Sequence, residues 1–377
     1  MTPMEQFALP ASWLGALRTP AIALQWPLQD WDRVIRMARR QRLLARLSES
    51  IVEAGLIEQV PPQPCRHLLA ELRLSRWRSD CLLWTLRQVS AAIQGADYPC
   101  VLLKGVAYMA QGLPIAAGRL PSDLDILVPK SALPKAQDAL AATGWRTVAL
   151  DAHDRRYYEN WSHELPPMRH PRLSVELDLH HNILPPVGRQ QIDASVLLER
   201  LRPSQWQPWQ VFHPTDQVLH SAAHLFFDSE LRDRVRDLVD LDGLFRHFGA
   251  DTQFWTGLTE RASELGLTEP LALACHFCVR WLDTPIPDAT RAVIRDRGPG
   301  ARRRAWLLPL LDQVLASAAP DEMPSWKTDA AAAVLLARYH RRRLPMRMLV
   351  PHLWHKLRIN SRSDDEARTA DPSELQA

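Results

Sequence analysis

Lysine is scarce in this chain. It occurs five times, at positions 104, 130, 135, 327 and 356, among 46 basic side chains. Arginine carries the rest; we read this as genomic bias, since nothing in folding demands it. Cysteine is equally sparse. Its five positions, 65, 81, 100, 275 and 278, are too few and odd in number for a disulfide framework, and they suit a reducing cytoplasm. No run approaches the ~20 apolar residues a membrane-spanning helix needs. The start, MTPMEQFALPASWLGAL, has no basic opening and no clear cleavage site, so a signal peptide is not expected. Charge of one sign is lacking too: the net charge is +3, which gives no case for a protein that coats nucleic acid.

What is present is an ordinary globular composition, 46% apolar and 24% charged, over 377 residues. That length suits one large core or two to three modest domains. Residues 30–95 carry apolar positions at spacings of three and four, which predicts helices. A break is expected at Pro61–Cys65, with Gly55 near the end of the first stretch and a second helix from about His67 to Ile93.

The pattern then changes. Tyr98–Leu103 is a short apolar run of buried-strand type, followed by Gly105 and a helix-like VAYMAQGL. Leu124–Val128 is a second such run. Residues 131–142 predict a helix with Ser131 as N-cap and Gly144 as its stop. Trp145–Leu150 is a candidate strand, and Leu173–Leu179 alternates apolar with acidic residues. From about 214 to 358 the chain reads as helical again. The expected fold class is therefore α+β, with a small mixed-sheet domain flanked by helical regions. We divide the chain into a helical region 1–94, a core 95–185, a helical domain 186–360 and a disordered tail 361–377.

The chemistry concentrates at GRLPSDLDILV, Gly118 to Val128. Asp123 and Asp125 are two apart, so on a strand they share a face. Two carboxylates on one face repel unless a cation lies between them, and Mg²⁺ favours oxygen ligands of this kind. The strand LSVELDLH places Glu176, Asp178 and His180 on one face by the same rule. Asp123, Asp125 and Asp178 together would hold two metals ~3.5–4 Å apart, as in-line phosphoryl transfer requires. The strand-to-glycine turn at Lys104-Gly105 suits a phosphate, with Lys104 as a point charge. Arg119 is a phosphate clamp or the partner of an acid.

LLKG, then GRLPSDLDILV, then a helix ending in GW, then VELDLHHNI resemble a bacterial nucleotidyltransferase family of the DNA polymerase β-like superfamily. The resemblance extends over roughly 30–300 and is most specific over 101–181. It implies that Asp123 and Asp125 are paired metal ligands, that Asp178 is the third carboxylate with Glu176 as its rival, and that His180 is an accessory histidine. It further implies Mg²⁺ or Mn²⁺ as cofactor, an NTP as substrate and Lys104, Gly105 and Arg119 as nucleotide-binding residues. The acceptor is left open among protein, small molecule, sugar and RNA. One departure stands out: Lys104-Gly105 occupies the place of the superfamily's Gly-Ser. That departure keeps a second reading alive, a binding or regulatory module without turnover. A third is a metal-dependent hydrolase using histidines.

Other motifs carry less. His220 and His224, with Asp228, have metal-ligand spacing but lack a zinc protease's Glu; packing at the acidic cleft is the preferred reading. Asp237, Asp240 and Asp242 read as helix ion-pair partners of nearby arginines. Cys275 and Cys278 lie among apolar residues and read as core. His153-Asp154 is the one His-Asp doublet, in the wrong context for a phosphohydrolase. The basic, aromatic segment 337–359 suits an Arg-rich solvent face better than peripheral membrane contact, because prolines 345 and 351 interrupt it.

Overall fold

The computed structural model describes residues 13–150, 155, 156, 158, 161–316 and 325–343. Its N-terminal helices are α1 (Leu28–Arg40), α2 (Leu44–Glu53) and α3 (Pro62–Ala92). In α1 and α2 the apolar positions at three and four turn inward together: Trp31, Val34, Ile35 and Ala38, then Leu44, Leu47 and Ile51. Gly55 follows α2 at φ 70°, a stop that asks for glycine. The expected break at Pro61–Cys65 is instead the opening of α3. Pro62 and Pro64 occupy its first turn, where a missing N–H leaves no helical hydrogen bond unmade.

The sheet follows. Its elements are β1 (Val101–Leu102), α4 (Lys104–Ala110), β2 (Asp123–Leu127), α5 (Leu133–Ala142), β3 (Arg146–Thr147), β4 (Met168–Arg169), β5 (Glu176–His180), α6 (Ser195–Leu198), β6 (Arg202–Pro203) and β7 (Gln210–Val211). The order across the seven strands is β3-β4-β5-β2-β1-β7-β6. It is mixed: β2 runs parallel to β5 and β1 to β7, and the other neighbours are antiparallel. The fold is thus α+β, a small mixed sheet with helices on its flanks. The segment 95–185 supplies five strands; β6 and β7 come from beyond it. Ser131 does not cap α5, which starts at Leu133 after a 3₁₀ turn and makes no side-chain cap.

The β2–β5 register is what builds the site. Leu124 and Leu177, and Ile126 and Leu179, are buried on one face, and Asp125 stands directly beside Asp178 on the other. A slip of one residue would turn the leucines out and the acids into the core, so apolar burial fixes the position of the carboxylates.

The C-terminal helices are α7 (Pro214–Phe226), α8 (Val235–Phe248), α9 (Thr252–Glu264), α10 (Thr268–Leu282), α11 (Asp288–Arg297), α12 (Ala301–Leu315) and α13 (Trp326–Arg343). Helix α7 is the hub, in contact with α8, α9 and α10. Asp216 in its first turn is fully buried and receives two bonds from Arg261 of α9, at 2.7 and 3.2 Å. Polar ties fasten this bundle to α4: the Tyr108 and Ser221 hydroxyls lie 2.6 Å apart, and Gln111 and Gln217 exchange amide bonds. Cys275 and Cys278 are buried and free. Among the described residues no helix is long and apolar enough to cross a membrane. The N-terminal opening up to residue 12, the doublet His153-Asp154, most of 337–359 and the tail 361–377 lie outside the described residues.

Candidate functional site

Strand alternation and the parallel register together gather three carboxylates. One oxygen from each of Asp123, Asp125 and Asp178 lies within 4.8 Å of the others. Spacing alone left Glu176 and Asp178 as equals. The structure separates them, because Arg169 of the neighbouring β4 forms an ion pair with Glu176 and draws it to the exposed edge.

Asp125 is the anchored member. Its Oδ1 accepts from Lys104 Nζ at 2.8 Å and faces His180 Nε2 at 3.0 Å. Burial penalises its charge, but Lys104 and His180 outweigh that penalty and hold it well below the usual carboxylate range. Lys104 answers in kind: burial works against its charge, and Asp125 overrides burial and raises the ammonium above its ordinary value. Asp123 lies at the rim, bonded to Ser122 Oγ at 2.8 Å. Asp178 behaves oppositely. Burial, then the neighbouring charge of Asp125, push its carboxyl up to about 7. The trio is therefore self-repelling, and one member takes up a proton near neutrality to relieve it. An all-oxygen donor set with that strain fits a hard dication, which would replace the proton.

Lys104 has φ 48°, a left-handed conformation that non-glycine residues adopt at a cost of about 1–3 kcal/mol. The turn thus orders its side chain toward Asp125 at a local backbone expense. Gly105 lies against Arg119. A Cβ there would fall 1.9 Å from a guanidinium nitrogen of Arg119. The glycine makes room for Arg119, which bonds Asp240 of α8 at 3.0 Å and lies over the Tyr108 ring. Arg119 is therefore tied to an acid of the helical bundle, the second of the two roles its position suggested. Asp237 and Asp242 pair with Arg234 and Arg246, as helix neighbours do.

His220 and His224 are buried on α7. Burial pushes His220 down to about 3, and the nearby charge of Lys104 adds to the shift. His224 accepts from Arg234 at 3.2 Å. They join no three-residue metal cluster among the described residues. Two residues that no motif singled out do approach His180: His163 and Glu164. They sit sixteen or more residues upstream in an irregular loop, and only a lone bridge between Glu164 and His180 brings them in. Periodicity could not have found them. Beside them, toward α7 and α13, opens a cavity of about 190 Å³ whose lining includes Lys104, His163, Glu164 and His224.

A mixed sheet carrying a carboxylate trio on paired parallel strands, with helices on its flanks, defines an α+β protein with a concentrated acidic site. The chain belongs to a family described as uncharacterised nucleotidyltransferases, whose model matches residues 27–283. No curated protein and no solved structure gives a significant match.

Proposed function

We propose that this chain is a metal-dependent nucleotidyltransferase that moves a nucleotidyl group from an NTP to an acceptor hydroxyl, on a domain of the DNA polymerase β-like kind. The observation that carries the proposal is the convergence of Asp123, Asp125 and Asp178 on one face of β2 and β5. In this reading the three carboxylates hold Mg²⁺ or Mn²⁺, which neutralises triphosphate charge and orients the α-phosphorus. Both contacts to Asp125 fall on Oδ1, so its Oδ2 is the oxygen we assign to the cation. Asp178, which completes the trio, accepts the acceptor's proton as the acceptor oxygen bonds to the α-phosphorus. The bond from that phosphorus to the bridging oxygen breaks, and pyrophosphate leaves. Lys104, which borders the cavity, is the phosphate ligand of this reading. Gly105 and Arg119 adjoin Lys104 as the further nucleotide-binding residues of this reading.

One observation favours the rival, a module without turnover: Lys104 already supplies a positive charge to Asp125. A single experiment separates them. Purified chain with Mg²⁺ or Mn²⁺, each NTP and cell extract as acceptor source is assayed for pyrophosphate release. The enzyme reading expects release with at least one NTP and its loss in Asp123→Ala plus Asp125→Ala. No release from any NTP sides with the module.

A further inference from the structure

The acidic strand ends at His180, and the chain sets two upstream residues against that end. The bridge between Glu164 and His180 places their side chains together. One donor atom from each of His163, Glu164 and His180 lies within 4.8 Å of the others. Glu164 Oε2 is 3.3 Å from His180 Nδ1 and 3.9 Å from His163 Nε2.

We propose that His163, Glu164 and His180 form a second metal site, for a borderline transition-metal dication of the Zn²⁺ class, separate from the carboxylate trio. It does not depend on the transfer reaction proposed above.

The tautomer of His180 is the first argument. Its Nε2 faces Asp125 Oδ1 at 3.0 Å, and an ionised carboxylate only accepts, so Nε2 carries the proton. Nδ1 is therefore the ring nitrogen left for a metal ion. That atom is buried, with the side chain 3% exposed, and makes no hydrogen bond. Its approach to Glu164 is close but lacks hydrogen-bond alignment. A cation bound between Nδ1 and the Glu164 carboxylate would give that buried nitrogen the partner it lacks. A histidine that donates one N–H to a carboxylate and offers the other nitrogen is the arrangement metal-bound histidines take.

Spacing is the second argument. Metal bonds of about 2.0–2.1 Å in a tetrahedral array put donors about 3.3–3.4 Å apart. The 3.3 Å pair already meets this, and the 3.9 Å pair is about half an ångström wide.

Charge and donor type are the third. Glu164 and Asp125 face the site, and Lys104 is taken up by Asp125. Arg338 and Arg342, which border the same cavity, share Glu269 with Arg303, and Arg343 bonds the Tyr339 hydroxyl. Two imidazoles and one carboxylate suit a borderline ion, whereas the all-oxygen trio suits Mg²⁺. Three protein ligands leave a fourth position, and His163 and Glu164 both line the cavity of about 190 Å³. That is the form of an open site, not a closed structural one.

The test uses the full chain stripped of metal. Zn²⁺ affinity is measured by competition with a chromophoric chelator, in the presence of millimolar Mg²⁺. We expect one tight equivalent, retained in Asp123→Asn plus Asp178→Asn and weakened at least 100-fold in His163→Asn and in Glu164→Gln. The wild-type chain loaded with Co²⁺ supplies a readout that needs no variant: intense visible bands of four- or five-coordination with nitrogen ligands are expected. Loss of the Zn²⁺ site in the aspartate pair with retention in both His163→Asn and Glu164→Gln would overturn the proposal. So would no tight equivalent in the wild type, or a weak octahedral Co²⁺ spectrum.

Discussion

The proton on Asp178 gives the sharpest handle on the carboxylate trio. Its carboxyl ordinarily titrates at 3.8 and in the folded chain at about 7. Between those values the folded chain holds a proton that the unfolded chain has released. The group's contribution therefore falls as pH rises through this window, and the loss is complete above about 7. Roughly three pH units at about 1.4 kcal/mol each set a ceiling of ~4 kcal/mol, reduced by the partial exposure of the side chain. Buried histidines act in the opposite direction, His163, His220 and His224 most strongly. Burial holds His163, His220 and His224 below their ordinary 6.5, so they add stability as pH rises toward that value. The wild-type curve alone is thus a compound, and the difference from Asp178→Asn isolates the acid. The assay is urea unfolding with chelator present at pH 5, 6, 7 and 8. We expect Asp178→Asn to gain on the wild type by ~1–2.5 kcal/mol from pH 5 to pH 8, since about two pH units of the window fall in that range. Millimolar Mg²⁺ at pH 8 should restore stability to the wild type and do little for the variant. Parallel curves across the whole range would refute the claim that the three carboxylates repel one another at neutral pH.

Asp125→Asn leaves the buried ends of Lys104 and His180 facing a neutral amide, so a loss of ~3–5 kcal/mol is expected by chemical denaturation, against under ~1 kcal/mol for the rim residue Asp123→Asn. Gly118→Ala meets two obstacles: φ is 64°, and a Cβ would fall 2.6 Å from the Ala45 carbonyl oxygen and 2.7 Å from the Arg46 Cα. Because both neighbours are backbone, we expect a loss of ~2–4 kcal/mol and a lowered Tm; a Tm within a degree of wild type would contradict the packing described.

The acid pair was legible because a strand's period of two needs no tertiary information: Asp123 and Asp125 had to share a face, and Leu124 and Ile126 had to turn inward. The third carboxylate was not legible, since Glu176 and Asp178 obey the same period. The structure groups Asp178 with Asp123 and Asp125 and pairs Glu176 with Arg169, and both contacts are tertiary. Gly105 was read as a phosphate turn, and its nearest neighbour is Arg119, held there by Asp240 from a helix far along the chain. Strands β6 and β7 have two residues each, too few to show a period. His163 and Glu164 were invisible for a related reason, since a single bridge in an irregular loop leaves no pattern. The prolines opening α3 were seen as a break because proline signals both an end and a beginning.

The central claim is nucleotidyl transfer at the carboxylate trio, and the position of a label tests it most directly. The chain, with Mg²⁺ and with cell extract as acceptor source, is given each NTP labelled at the α-phosphate and, in parallel, at the γ-phosphate. The account predicts that an acceptor takes label from the α position alone, and that Asp123→Ala plus Asp125→Ala abolishes it. Label transferred from the γ position, or α-label transfer that survives the double substitution, would contradict it.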